Sequence, residues 1–155
     1  MIELQILKDS LAKKKTILVQ IEDENKTQEN VLKTEPVSFD EFEATVDKKT
    51  ELIDELNKLD QGFESVYDRI KESLIAQKEN FKADIEDLKI LVSDITDLSV
   101  SIQAQEARNK SLVEKFFKKS REDIQAERIR AKSTYDFMNR MSNQEVEPRF
   151  MDTKK

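Results

Sequence analysis

The side chains available for chemistry are almost all carboxylates and amines. The 155-residue chain holds 33 aspartates and glutamates and 27 lysines and arginines, but no histidine and no cysteine. The commonest general base, the thiolate nucleophile and the usual zinc ligands are therefore missing. A carboxylate-bridged metal pair inside a helical bundle needs Glu-x-x-His pairs, which cannot form without histidine. A single glycine leaves no glycine-rich loop to cradle a phosphate. Adjacent acids such as Asp40 with Glu41 and Asp54 with Glu55 read as solvated helix faces. The expectation is a protein that is not an enzyme, with no catalytic, metal-binding or cofactor-binding residues.

What remains is non-covalent recognition, and one stretch concentrates it. Phe117, Ile124, Ala131, Tyr135 and Met138 form an apolar stripe at helical spacing, with Phe116, Phe137 and Met141 close by. Aromatic residues and methionine are enriched where one protein holds another, and methionine adapts to more than one partner. These eight residues are the candidate partner-binding set. The same stretch carries Lys118, Lys119, Arg121, Arg128, Arg130 and Lys132, interspersed with Glu122, Asp123, Glu127 and Asp136. Mixed charges of this kind weaken a membrane reading, and a net charge of -6 argues against nucleic acid, which requires a concentrated basic face.

The elements that position these residues should all be helices. Charged residues make up 39% of the chain, with one glycine, two prolines and abundant Leu, Ile, Lys and Glu. From Ile2 to Lys33, Leu4, Leu11, Leu18 and Leu32 occupy one position of a seven-residue repeat, and Leu7 and Ile21 the other. Pro36 disfavours helix at Glu35, and Ser38 with Glu41 has capping-box spacing, so a second helix should begin near Phe39. Its seam reads Phe39, Phe42, Val46, Lys49, Ile53, Leu56, Asp60, Phe63, Tyr67, Ile70, Leu74, Gln77 and Phe81, with Gly62 tolerated inside it. The register continues through Leu88, Leu91, Ile95, Leu98, Ile102, Gln105, Asn109, Leu112 and Phe116, which would permit one rod roughly 117 Å long. A hairpin is the alternative, with its turn between Glu79 and Asp84, Asn80 as a stop and Asp84 as the next N-cap.

Polar residues on the seams favour the hairpin. In an up-down-up arrangement Lys14 falls level with Asp60, and Asn25 with Gln28 falls level with Lys49, Gln105 and Asn109. Lys14, Asp60, Asn25, Lys49 and Asn109 are thus expected to form a register-setting polar core. The first helix runs out opposite Asn109 to Lys115, and the stripe shifts by one residue at Phe117, so the third helix should overhang the bundle from there to Met141. The expected fold is an all-α, elongated antiparallel up-down-up three-helix bundle with a long overhanging C-terminal helix. It forms a single domain over residues 1–143, with helices at about 2–33, 39–79 and 84–141 and an extended tail at 144–155. The short apolar runs predict no membrane insertion, the N-terminus lacks the pattern of a secretory signal, and the lack of cysteine fits a reducing compartment, so a cytoplasmic protein is expected.

The run Leu98 to Met138, with Ile102-Gln-Ala-Gln-Glu-Ala-Arg-Asn-Lys-Ser-Leu-Val-Glu-Lys-Phe-Phe leading into an arginine-rich helix ending in Tyr135, resembles the C-terminal half of bacterial flagellar export chaperones of the FlgN type. Asp60-Gln-Gly-Phe-Glu-Ser-Val-Tyr and Pro148-Arg-Phe-Met-Asp-Thr-Lys-Lys are similar to members from Gram-positive, clostridia-like bacteria. The resemblance implies a small cytoplasmic chaperone that binds hook-filament junction (hook-associated) subunits, keeps them unassembled and delivers them to components of the flagellar type III export apparatus. It places client contacts on the C-terminal helical region, here Phe116 through Met141, and implies no nucleotide or metal. The FliT-type chaperones of the filament cap protein are similar in architecture. A structural coiled-coil homodimer joined through the C-terminal helix is the alternative of a different class.

Overall fold

The computed structural model describes residues 1–142, all of its regular structure helical. Helix α1 spans Ile2–Lys33, α2 Phe39–Ala76 and α3 Lys82–Ser142. The expected tail at 144–155 lies outside the described residues. Backbone packing separates two compact units, the first running from Met1 to Leu112 and the second beginning at Val113. The first unit contains α1, α2 and the N-terminal half of α3, and these form an all-helical bundle.

Local chemistry explains the first connection. Thr34 leaves the helical region at ψ 126°, and its N–H still bonds the carbonyls of Asn30 and Val31. The Glu35–Pro36 peptide is cis. Ser38 then adopts extended geometry, and its hydroxyl accepts the Glu41 N–H at 3.2 Å, satisfying one of the amides that a helix start leaves free. The second connection departs from expectation. Residues 77–81 make the turn, closed by Phe81 N–H to Gln77 O at 3.3 Å, so α2 ends at Ala76 rather than 79 and α3 begins at Lys82 rather than 84. Phe81 packs from the turn onto the cluster of Leu4, Leu7, Val66, Ile70 and Leu74, which fixes where the chain reverses. Asp84 is accordingly not an N-cap. It lies in the first turn of α3, where its carboxylate accepts from Lys8 at 2.7 Å.

Helix directions follow from side-chain contacts within this unit. Lys8 meets Asp84, Lys15 meets Asp94, Glu22 meets Ser101 and Asn25 meets Gln105, so α3 runs parallel to α1. Lys14 meets Asp60 and Gln28 meets Thr45, so α2 runs antiparallel to it. Leu11, Ile17, Leu18, Ile21, Leu52 and Ile95 form the other core cluster. The α2 seam needs a correction. Phe42, Leu56, Phe63, Ile70 and Leu74 face the core as expected, but the second row inside it is Thr45, Leu52, Leu59 and Val66. Phe39, Val46, Ile53 and Tyr67, one residue further along, are exposed. Both rows are mostly apolar, so periodicity could not choose between them; packing on α1 did.

Gly62 sits mid-helix, and a Cβ added there would meet nothing within 4 Å. Gly62→Ala should therefore raise stability by about 0.5–1 kcal/mol, read as a higher urea midpoint, since alanine removes the entropic penalty of glycine without a clash. Lys8 gives a pH-dependent test. Its hydrogen bond to Asp84, opposed by desolvation and helped by the charges of Asp84 and Asp87, holds its ammonium above the ordinary value of 10.5. A raised lysine contributes fully below its unfolded value and loses that contribution as pH climbs through the folded one. Lys8→Met should lower the urea midpoint at about pH 8, with the gap to the wild-type chain closing as pH climbs past 10.5.

Candidate partner-binding site

The polar residues of the seams do meet, at two levels that differ in character. Lys14 Nζ donates to Asp60 Oδ1 at 2.8 Å, but the Asp60 side chain is 48% exposed, so this level is an ion pair on the bundle rim rather than part of a core. The reason is the shifted α2 row: Asp60 lies on the outward side of the buried seam, beside Ile53. At the second level Asn25 and Asn109 are 1% and 2% exposed, with Gln28, Thr45 and Gln105 buried beside them. Gln28 Nε2 donates to Thr45 Oγ1 at 2.9 Å, whose own hydroxyl donates to the Phe42 carbonyl at 2.6 Å. Asn109 Nδ2 donates to Gln28 Oε1 at 3.1 Å and to the Asn25 carbonyl at 3.0 Å. Asn25 Nδ2 donates to Gln105 Oε1 at 3.2 Å, and Gln105 Nε2 to the Glu22 carbonyl at 3.1 Å. Lys49 closes the edge, its ammonium 2.8 Å from Glu106 and 3.4 Å from Gln28 Oε1. Thr45 was absent from the sequence reading because it belongs to the row that periodicity did not select. One buried oxygen, Asn25 Oδ1, lacks a protein partner among the described residues.

Residues 113–142 continue α3 as regular helix, with Arg130 paired to Glu127 one turn earlier. Helical periodicity places Phe117, Ile124, Ala131, Tyr135 and Met138 on one face. Phe117 is 40% exposed and Ile124 53%, while Ala131 and Tyr135 are half-buried. Met138, Phe137 and Met141 are exposed, the last at 74%, and Phe116 is half-buried with its ring 5.2 Å from that of Phe117. A shallow groove of about 370 Å³ lies along Asp123, Ile124, Glu127, Arg128 and Ala131, on the stripe itself. The same periodicity puts Phe116 and Met141 beside the stripe and Phe137 well round from it, so the structure does not bring all eight candidates onto one surface. Ile129, not picked out in the sequence, is equally exposed and lies off the stripe, where no seven-residue repeat marks it.

An unpaired oxygen, desolvated and out of reach of water, is costly, whereas an exposed ion pair gains little. Asn109→Leu removes two hydrogen bonds of the buried level, one to the Asn25 carbonyl and one to Gln28 Oε1, which keeps only Lys49 at 3.4 Å, and should cost about 1–3 kcal/mol in urea unfolding, while Asp60→Asn should cost less than about 1 kcal/mol. The reverse order would contradict the assignment of the buried level as the one that matters.

No helix among the described residues is long and apolar enough to cross a membrane, and no three acidic residues among them converge in a way that could hold a metal ion. No curated protein and no solved structure matches the chain at a significant level. The family model described as FlgN protein matches residues 1–138, which takes in the whole bundle and nearly all of the C-terminal face. With its helical bundle and exposed C-terminal face, this chain belongs to the FlgN family of flagellar export chaperones.

Proposed function

We propose that this chain acts in the cytoplasm on hook-filament junction subunits, holding them through the apolar face of residues 113–142, preventing premature assembly and releasing them at the export apparatus. The observation that carries this reading is the exposure of Phe117 and Ile124 on a helix whose stripe has the seven-residue repeat of a packed surface. A client segment that forms an amphipathic helix can lay its own stripe along this one, burying aromatic and aliphatic side chains from both. Occupying that segment blocks the helix-helix contacts through which such a client assembles. Binding of this kind uses area and shape and calls for no bond chemistry. Register-setting falls to the buried amide level of the first unit, which keeps the three helices of the bundle from sliding.

Calorimetric titration of the full chain with hook-junction and cap subunits from the same organism tests the reading. Micromolar or tighter binding to the junction subunits and weaker binding to the cap subunit is expected. Changing Phe117, Ile124, Tyr135 and Met138 together to Ser should weaken junction binding by about 100-fold or more, since removal of even two aromatic or aliphatic anchors of hot-spot strength accounts for that loss. Deleting residues 117–155 should abolish binding while most helical circular dichroism from the bundle remains. Undiminished binding by the deleted chain would refute the proposal.

A further inference from the structure

Helix α2 carries two apolar rows on either side of the shared positions Phe42, Lys49, Leu56, Phe63 and Ile70. The row of Thr45, Leu52, Leu59 and Val66 turns into the bundle. The row of Phe39, Val46, Ile53 and Tyr67 does not, and each of its members is between 39% and 46% exposed. Its place in the bundle follows from Lys49, which lies between Val46 and Ile53 on the helix surface and reaches Glu106 of α3 at 2.8 Å. The row therefore lines the groove between α2 and α3. The opposite wall is the row of Glu106 itself, repeated every seven residues by Ser99, Val92 and Ile85. Val92 is 50% exposed, and counting two heptads from the Lys49–Glu106 pair along the antiparallel helices sets it level with Phe63.

This groove is the open one. Close backbone packing joins α1 to α2, whereas α3 reaches both through longer side-chain contacts. Lys14 marks the opening. It occupies a position of α1 that Leu7, Ile21 and Gln28 repeat inside the core, yet its ammonium emerges 2.8 Å from the carboxylate of Asp60, which stands in the exposed row between Ile53 and Tyr67. Scattered single hydrophobics on a surface need no explanation, but a row at seven-residue spacing along an open groove is half of a helix-helix interface. Charge decides what kind of helix completes it. Helix α2 has eleven carboxylates against five cations. Glu43, Asp47, Asp54 and Glu64 lie within a turn of the row and make no ion pair among the described residues. On the outer edge of the facing wall, Thr96 and Gln103 are uncharged and Lys89 pairs with Glu86. The groove is thus acidic along its α2 edge and nearly neutral along the other, and the row from Phe39 to Tyr67 extends roughly 42 Å.

We propose that a separate protein docks an amphipathic helix, basic along one edge, into the groove between α2 and α3, adding a fourth helix to the bundle. Its apolar stripe covers Val46, Ile53, Tyr67 and Val92, and its basic edge lies over the α2 carboxylates. Its seam carries a polar residue at the level of Lys14 and Asp60, because covering that ion pair with hydrocarbon alone would desolvate it without a replacement partner. The groove lies wholly within the first unit, so the docking does not depend on what residues 113–142 hold.

A synthetic peptide of about 28 residues tests this, with leucine at both seam positions of each heptad except for one central asparagine, lysine along one edge and glutamine along the other. Fluorescence anisotropy of the labelled peptide, titrated with the full chain at low salt, should give a dissociation constant of about 50 µM or tighter. High salt should weaken binding about tenfold or more, and so should glutamate in place of the peptide's lysines. Val46→Lys with Ile53→Lys should weaken it about 30-fold or more and Val92→Lys, on the other wall, about tenfold, each with the helical signal intact. Ile124→Lys, on the C-terminal face, should change nothing. No binding, or equal binding of the lysine and glutamate peptides, overturns the proposal. So does binding that survives the changes on both walls, or that is lost with Ile124→Lys, which places the peptide on the C-terminal face. Row changes that lower the sedimentation coefficient of the chain alone would give the row to a second copy, and row changes that weaken binding of a hook-junction subunit would give it to the client; either result also overturns it.

Discussion

Gln28 of α1 donates an amide hydrogen to Thr45 of α2 and accepts one from Asn109 of α3, so a single buried side chain ties three helices together at one level. The apolar contacts away from that level discriminate less between registers one heptad apart, because Leu4, Leu11 and Leu18 of α1, Leu52, Leu59 and Val66 of α2, and Leu88, Ile95 and Ile102 of α3 repeat at that spacing. The amides are not indifferent. Sliding any helix would strand Gln28, Asn25, Asn109 or Gln105 against hydrocarbon, where an unmade hydrogen bond costs about 1–3 kcal/mol. A buried asparagine sets the register of a coiled coil by the same physics. The ion pairs Lys8–Asp84, Lys15–Asp94 and Lys14–Asp60 all follow from the bundle's register, and their exposure makes each of them a minor contributor.

The two units of the chain treat apolar surface differently. In the first, Leu7 is fully buried, and Leu4, Leu52 and Ile17 nearly so. In the second, the largest apolar side chains remain in contact with water although they stand in a regular stripe. A helix that contributed nothing but length would have no reason to repeat Phe, Ile, Ala and Tyr at that spacing. Membership of the FlgN family supplies a reason in export clients.

Much of this was legible in the sequence, for identifiable reasons. Pro36 and Ser38 constrain the backbone directly, so the break before α2 could be read residue by residue. The seam of α1 was legible because Leu4, Leu7, Leu11, Leu18 and Ile21 keep the seven-residue repeat, whereas the apolar neighbours Ile6 and Val19 do not continue one and lie exposed; Ile17 joins the wide buried face of α1. Helix α2 was read only in part, because Phe39, Val46, Ile53 and Tyr67 compete with Leu52, Leu59 and Val66 for the same period, and only the position of α1 breaks the tie. Thr45 and the rim location of Asp60 went with that choice. Asp84 has the composition of a helix cap, yet a lysine 76 residues away holds its carboxylate, which no local pattern could indicate. The C-terminal stripe could be found from spacing alone, and the same spacing sets Phe137 well round from it.

Hydrogen exchange across the full chain, with and without a purified hook-junction subunit, tests the central claim most directly, because it reports on the bundle and the C-terminal face in one experiment. The account predicts slow exchange in α1 and α2 that the client leaves nearly unchanged, and a gain of protection on binding concentrated in residues 113–142. Protection that appears instead within α1 and the buried side of α2, with residues 113–142 unaffected, would contradict it.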